Sequence, residues 1–205
     1  MTSSYYEKFM DETVISIDDG LPFAIPDSWN WVRLACIVSK EIKRGKAPKY
    51  SDEATGTKVF AQKCNLKAGV INLELAKYLD QAALQRYSST EFLMEGDVII
   101  NSTGTGTLGR VGIISEEIEP IVPDSHITVI RTSSHVLSQY IYCVLKKNQP
   151  ILEDSGEGST NQKELRPNTL TDFLIPLPPA EEQHRIVKAI IQSNRVLLDI
   201  QSKIN

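Results

Sequence analysis

Three glycines near the middle of the chain have the spacing of a nucleotide-binding loop. Residues 102–110 read STGTGTLGR, which places Gly104, Gly106 and Gly109 in a G-x-G-x-x-G pattern. A pyrophosphate loop also requires a strand before the glycines and a helix after them, whose first N–H groups bind the anion. The preceding GDVIIN is strand-like, but the following RVGIISEEIEPIV is β-branched and interrupted by glycine and proline. The pattern therefore predicts a β-hairpin with a glycine-rich tip instead of a cofactor loop.

A second group of residues resembles the metal site of PD…ExK nucleases. Pro26 and Asp27 are followed by Glu41, Ile42 and Lys43. In such enzymes two carboxylates hold Mg²⁺ and a lysine stabilises the attacking hydroxide. The pattern is short, and its lysine falls in a stretch that contains glycine and proline. A metal-dependent endonuclease that uses Asp27, Glu41 and Lys43 is therefore kept only as an alternative function.

Other catalytic arrangements do not emerge from the sequence. Asp124, Ser125 and His126 are consecutive, and successive strand residues point to opposite faces, so they do not form a Ser/His/Asp relay. The other two histidines fall at predicted helix starts, where surface or capping histidines are usual. The three cysteines are far apart, which indicates reduced thiols instead of a disulfide framework or a zinc site. We expect a binding protein and not an enzyme, with no metal and no cofactor of its own.

Length and composition indicate an ordinary globular protein. The chain has 205 residues, of which 41% are hydrophobic, enough for one substantial core. It contains no run of about 18 apolar residues, and its N-terminus is polar and acidic, so we expect a cytoplasmic location and no membrane partner.

Charge is distributed unevenly along the chain. The net charge is −4, yet residues 40–67 hold eight basic residues against three acidic ones. Because association with nucleic acid depends on local potential, this basic tract is a candidate phosphate-binding surface. A solvated loop that carries the same lysines is the plain alternative.

Periodicity predicts alternating strands and helices. Strands are expected at 28–38, 58–67, 96–101, 110–114 and 126–132, and extended chain at 170–179. Helices are expected at 74–87 and at 135–147, where Ser134 is the predicted N-cap and the helix stops before Pro150. A final helix starts after Pro179 and runs without glycine or proline to the last residue. Ser159 and Gln162 have capping-box spacing within a polar loop.

The last helix carries a repeating apolar seam. Ile190, Leu197 and Ile204 recur every seven residues, and Ile186 and Ile200 occupy the companion positions. The seam is irregular, so packing on the helix's own domain and pairing with another helix both remain open.

Five stretches in this order give the chain a family resemblance. They are IPDSWNWVRL, GDVIINSTGTGTLGRVGII, DSHITVIR, GSTNQKEL and LIPLPPAEEQHRIV. Together they resemble a target recognition domain of the DNA specificity subunit of type I restriction-modification enzymes. The likeness runs from about residue 25 to about residue 187.

The resemblance implies a fold and a function. It implies an α+β protein with a globular, mixed, β-rich recognition domain over residues 1–176 and a spacer or dimerisation helix over 177–205. Such a chain is non-catalytic, reads one half of a bipartite double-stranded DNA target, and docks methyltransferase subunits and, through them, the restriction subunit. S-adenosylmethionine, Mg²⁺ and ATP are expected on those partners. A pure assembly protein is a further alternative.

The resemblance also implies which residues contact partners. One recognition domain and one helix are present where two of each are customary, so a self-dimer or a second half subunit is expected through the seam. Thr105 and Arg110 are expected to face the DNA backbone, and a local capping role is favoured for Gln162 and Lys163. The remaining expected DNA contacts all lie in the basic tract: Lys43, Arg44, Lys46, Lys49 and Lys58.

Overall fold

The computed structural model describes residues 6–8, 11–17, 20–67, 69–158 and 163–204. The predicted α+β class is confirmed, because β-rich sheets precede one long helix. The strands within these ranges are β1 (Tyr6–Lys8), β2 (Val14–Ser16), β3 (Asn30–Arg33), β4 (Lys43–Arg44), β5 (Tyr50–Ser51), β6 (Lys58–Phe60), β7 (Lys77–Leu79), β8 (Val98–Asn101), β9 (Val111–Ile113), β10 (Ile121–Pro123), β11 (Ile127–Ile130) and β12 (Leu174–Leu177). The α-helices are α1 (Ser138–Lys147), α2 (Gln149–Asp154), α3 (Pro167–Thr171) and α4 (Ala180–Ile204).

The central sheet is antiparallel, with strand order β4-β11-β8-β9. All residues of β8 and β11 are buried, and their side chains alternate between two cores. Val98, Ile100 and Ile130 pack on the helical side, whereas Ile99, Ile127 and Val129 face the second sheet. The predicted division of β11 between two faces is thereby confirmed, and both faces are covered.

The second sheet is mixed, with strand order β10-β6-β7-β5 and a parallel β10–β6 pair. Two further antiparallel pairs, β1–β2 and β3–β12, complete the described strands. The predicted helix at 74–87 is wrong, because β7 lies inside that range between 3₁₀ turns at Leu73–Leu75 and Gln81–Arg86. Burial of Leu79 in the sheet outweighs the local helical periodicity. The Asp80 side chain then accepts a hydrogen bond from Ala83 N, which starts the next 3₁₀ turn.

Several predicted boundaries shift for local reasons. The strands expected at 28–38 and 58–67 stop after four and three residues and continue as 3₁₀ turns. Helix α1 begins at Ser138, with Leu137 as its N-cap residue, so the predicted Ser134 cap is wrong. The backbone N–H of Leu137 donates to Gln183 Oε1 at 2.9 Å, which fixes the start of α1 from another element. Beyond α1, Pro150 lies in the first turn of α2 and does not end the helical region.

Helix α4 is fastened to the domain through its first turns. Gln183 is buried, and its Nε2 donates to Pro178 O at 3.0 Å. Trp29 Nε1 donates to Glu182 Oε2 at 3.1 Å, and the Tyr140 hydroxyl donates to Pro176 O. Burial raises the pKa of Tyr140 to about 12. These bonds fix where the helix leaves the domain.

Among the described residues, none of the helices combines the length and the apolar character that a membrane span requires.

A buried ion pair joins the start of β8 to the end of β11. Arg131 Nε and Nη2 donate to the two carboxylate oxygens of Asp97, each at 2.7 Å. The Asp97 side chain is 0% exposed and that of Arg131 is 16% exposed. Asp97 also accepts from Met94 N, and Arg131 donates to Phe92 O. The pair therefore holds the loop at 90–97 against the central sheet.

A second buried carboxylate, that of Asp124, has no ion-pair partner among the described residues. It is 3% exposed and accepts the backbone N–H of His126 at 2.8 Å. Burial is the main cause of the raised pKa of Asp124, and the contacts with His126 only partly oppose it. The ionised side chain thus weakens the folded state near neutral pH.

We expect Arg131→Met to destabilise the protein by about 3–5 kcal/mol, because it leaves the Asp97 charge buried without its partner. Chemical denaturation of the full chain measures this loss. The double variant Asp97→Asn/Arg131→Met should regain much of it, and Arg185→Ala at an exposed pair should change stability by less than about 0.5 kcal/mol. A single variant as stable as the control would contradict a buried charge pair.

We expect Asp124→Asn to raise the melting temperature at pH 7. Because the folded-state pKa of Asp124 is raised, its unfavourable contribution grows as pH rises from the unfolded pKa of about 3.9 through the folded value. The difference from the native chain should therefore vanish below about pH 3.9. Thermal unfolding across pH measures this, with Asp52→Asn at an exposed carboxylate as the control. A gain that did not depend on pH would rule out the titration of Asp124 as its cause.

Candidate nucleic-acid interface

The basic tract is folded into the two sheets and is not a free loop. Lys43 pairs with Val129 and Arg44 with Thr128, so β4 forms the edge of the central sheet. Gly45 follows, and its backbone N–H donates to Ile127 O at 2.9 Å. A Cβ on Gly45 would lie 2.1 Å from Pro123 O, so the tract passes too close to the neighbouring backbone for any other residue. The alternative of a solvated loop therefore does not hold for residues 43–45.

Each lysine or arginine of the tract that was expected to contact DNA forms an ion pair. The pairs are Lys43–Glu41 at 3.0 Å, Arg44–Glu164 at 2.7 Å, Lys46–Glu91 at 2.8 Å, Lys49–Asp80 at 3.2 Å and Lys58–Glu119 at 3.0 Å. The hydrogen bond from Lys49 lowers the pKa of Asp80, and that from Arg44 lowers the pKa of Glu164. Four of the five acids come from outside residues 40–67. The positive charge counted along the sequence is largely offset in the fold.

The tract residues differ in how freely they can meet a ligand. Lys49 and Lys43 are 70% and 53% exposed, and exposed ion pairs contribute only about 0–1 kcal/mol, so a phosphate can replace their acids. Arg44 also donates to Leu165 O at 2.9 Å, and Lys46 also donates to Arg86 O. These two side chains hold neighbouring segments in place.

The glycine-rich segment is a hairpin tip between β8 and β9, as predicted. The two strands pair antiparallel, and no helix follows the glycines. Leu108 of the tip is buried in the helical-side core. Gly109 has φ +71°, and a Cβ there would lie 2.8 Å from Glu153 N of α2. Gly109 thus allows α2 to pack against the tip.

The two tip residues expected to contact DNA have different environments. Arg110 is half-buried, and its guanidinium donates to Asn65 O at 2.8 Å and Gly106 O at 3.1 Å. Thr105 is exposed at the turn. Beside them, Thr103 Oγ1 is 2.7 Å from His126 Nδ1, which links the tip to the start of β11. The tip is held by side chains from several parts of the chain.

A groove of about 440 Å³ opens beside the tip. Lys67, Thr105, Arg110, Glu153 and Lys163 line it. Lys67 was not among the residues expected to contact DNA, although residues 54–73 contain no acid that could offset it. Lys163 was expected to have a capping role, but it is exposed and lies outside the helices. Ser159 and Gln162 fall outside the described residues.

The part of the basic tract that follows β4 and the hairpin tip lie at the same end of the central sheet. Strand β8 leads into the tip, and β4 runs parallel to it because both pair antiparallel with β11. The backbone of Lys46 then forms an isolated β-bridge with the backbone of Asp124, just before β11 begins. The Asp97–Arg131 pair and the start of α1 lie at the opposite end. The hairpin tip and the backbone that follows β4 therefore lie at one end of the sheet.

The residues of the alternative nuclease site do not form a metal centre. Asp27 precedes β3, which pairs with β12, whereas Lys43 lies on β4 of the central sheet. Glu41 is exposed and forms an ion pair with Lys43 itself. Within the described residues no group of three His, Cys, Asp or Glu side chains could hold a metal ion.

The apolar residues of the helix seam become more exposed along α4. Ile186 packs against the helical-side core and Ile190 is half-buried. Leu197 and Ile200 are 58% and 47% exposed. The side chain of Ile204 lies outside the described residues. The first part of the seam thus packs on the domain, and its second part is open to solvent.

Known proteins are similar to this chain in sequence and in fold. The family model for the type I restriction modification DNA specificity domain matches residues 26–205. The EcoBI specificity subunit of Escherichia coli is 20% identical over 197 residues, covering 91% of this chain and 39% of that protein. The MjaVIII specificity subunit of Methanocaldococcus jannaschii is 27% identical over 183 residues, covering 87% and 42%. This chain therefore spans about two fifths of the length of these relatives.

Solved structures show the same architecture. The HsdS subunit from Thermoanaerobacter tengcongensis superposes with a TM-score of 0.66 at 19% identity, covering 89% of this chain and 41% of that one. A chain of a type I R-M system superposes with a TM-score of 0.69 at 19% identity, covering 89% and 42%. At these identities the superpositions establish the fold alone. The match of the family model to most of the sequence establishes more: this chain belongs to the type I restriction modification DNA specificity domain family.

Proposed function

We propose that this chain is a non-catalytic DNA specificity module that reads one half of a bipartite DNA target. The family match over residues 26–205 is the observation that carries the proposal. The position of the hairpin tip and of the chain after β4 at one end of the central sheet supports it, because a DNA duplex needs several contacts on one surface. Phosphate contacts position such a reader, and base contacts in the grooves give it specificity.

We propose that the exposed half of α4 binds a partner helix. Relatives named as specificity subunits are more than twice as long as this chain. A second copy of the chain or a second half subunit would supply the other recognition domain. Methyltransferase subunits docked on this helix would supply S-adenosylmethionine and the base chemistry, and the restriction subunit would join through them. The division at residue 176 stays a prediction.

Within the basic tract, Lys43 and Lys49 are the better candidates for DNA contact, since they are the more exposed. Arg44 and Lys46 act mainly on the fold, through their bonds to the segments at 164–165 and 86–91. Of the four tract lysines that form ion pairs, Lys58 is the least suited to contact DNA, because its side chain is only 26% exposed.

The first test maps the positions that the methyltransferase partner modifies, with and without this chain. We expect the modified positions to depend on the chain. An inverted repeat of one half-site would indicate self-pairing, and an asymmetric site would indicate a different second half. Unchanged positions with a lower rate would favour a pure assembly protein, and cleavage of plasmid by the chain and Mg²⁺ alone would favour the nuclease.

The second test changes the open part of the helix seam. Leu197→Glu/Ile200→Glu should abolish pairing and methyltransferase binding, measured by sedimentation of the chain alone and with its partner. Thermal stability of the isolated chain should change by less than about 0.5 kcal/mol, because both side chains are exposed before assembly. Ser202→Glu, on the opposite helix face, is the matched control. Normal assembly by the double variant would place the contact elsewhere.

A further inference from the structure

The groove beside the hairpin tip differs from the basic tract in its charge balance. Lys67 and Lys163 form no ion pair within the described part of the chain, and Arg110 donates only to backbone carbonyls. All three line the same groove. In the tract, by contrast, the candidate cations each have an acid within 3.2 Å. The groove therefore gathers three cations that form no ion pair with a described acid.

One acid faces these cations. Glu153 lines the groove, and its Oε1 accepts a hydrogen bond from Gln149 Nε2 at 2.8 Å. A fourth cation, Lys146, lies nearby, and burial, followed by the charge of Arg110, lowers its pKa. The three cations that line the groove and this half-buried lysine thus outnumber one carboxylate. The groove keeps a net positive charge.

The backbone of the tip adds neutral donors to the groove. Among the described residues, no acceptor lies within hydrogen-bond distance of the Thr105 and Gly106 N–H groups. Gly104 and Gly106 have φ of +102° and +73°. Successive free N–H groups in such a turn form a concave site for anions. No atom lies within 4 Å of a Cβ built on Gly106, so a large anion can approach the turn.

The groove is held rigidly before any ligand arrives. Leu108 is buried in the core, α2 packs on Gly109, and the Arg110 guanidinium is fixed by two carbonyls. The chain just after Lys163 is also tied down, because Leu165 N donates to Ser102 O at 2.8 Å. A preorganised site loses less conformational entropy on binding.

We propose that the groove formed by Lys67, Thr105, Arg110 and Lys163 binds a backbone phosphate of duplex DNA. This assignment rests on the proposed DNA-reading function. The groove fits phosphate because it offers cations and N–H donors on one side, whereas recognition of bases requires an element that enters a groove of the duplex. It positions the domain on DNA without contributing to the choice of sequence.

The test uses the full chain in complex with its methyltransferase partner and carries Lys67→Ala/Lys163→Ala. Affinity for a target duplex is measured as a function of salt concentration. Each phosphate contact contributes about 0.9 to the slope of log K against log salt, so losing the one phosphate contact of the groove should lower the slope by up to about 0.9. Affinity for target and non-target duplexes should fall by the same factor, and the methylated positions should not change.

Two controls accompany the variant. Lys8→Ala/Arg185→Ala removes two exposed charges outside the groove and should leave the slope nearly unchanged. Thermal unfolding should show that the groove variant folds as stably as the native chain, since both lysines are exposed.

The outcomes separate this inference from the proposed function. If the native complex binds no duplex at all, the DNA-reading function and the groove assignment both fail. If the native complex binds with a steep salt dependence and the groove variant matches it, only the groove assignment is overturned. A variant that loses its methyltransferase partner instead would reassign the groove to protein docking, and a changed target preference would reassign it to base reading.

Discussion

The pairing of β8 with β11 is the contact on which the rest of this structure depends. Both strands are buried over their whole length, and their alternating side chains fill two different cores. A shift of one residue in this register would exchange the two sets of side chains, so the register is strongly fixed. The Asp97–Arg131 pair closes one end of it. The hairpin tip and β4 extend from the other end, so this pairing sets the position of both candidate DNA surfaces.

Charge on the surface follows from packing as much as from composition. The basic tract carries eight of the 22 lysines and arginines in the sequence, yet acids from distant segments pair with Arg44, Lys46, Lys49 and Lys58 in the fold. Arg44 and Lys46 thereby act as ties between segments. The groove at the tip has fewer cations, but only Glu153 opposes them. Because attraction for a phosphate depends on the local sum of charges, we propose the smaller cluster as the phosphate site.

Helix α4 has a first part that packs on the domain and a second part that is exposed to solvent. Its first turns are fixed by Gln183, Glu182 and the core, whereas Leu197 and Ile200 present an apolar surface to solvent. At 25 residues the helix is about 37 Å long and extends well past the contacts that hold it. An exposed apolar stripe of this kind is typical of a surface that becomes buried in an assembly.

The sequence by itself determined the hairpin at residues 96–114 and the start of α4 after Pro179, because these depend on local turn chemistry and short-range periodicity. It also pointed to the family and to the α+β class, through the resemblance of five stretches to known specificity subunits. It did not determine β7, where sheet pairing of Leu79 overrides a helical pattern, or the start of α1, which is set by Gln183 from 46 residues away. Only the tertiary structure decided which cations stay uncompensated. Ion pairs such as Arg44–Glu164 join residues 120 positions apart, and no local pattern records where a distant acid will lie.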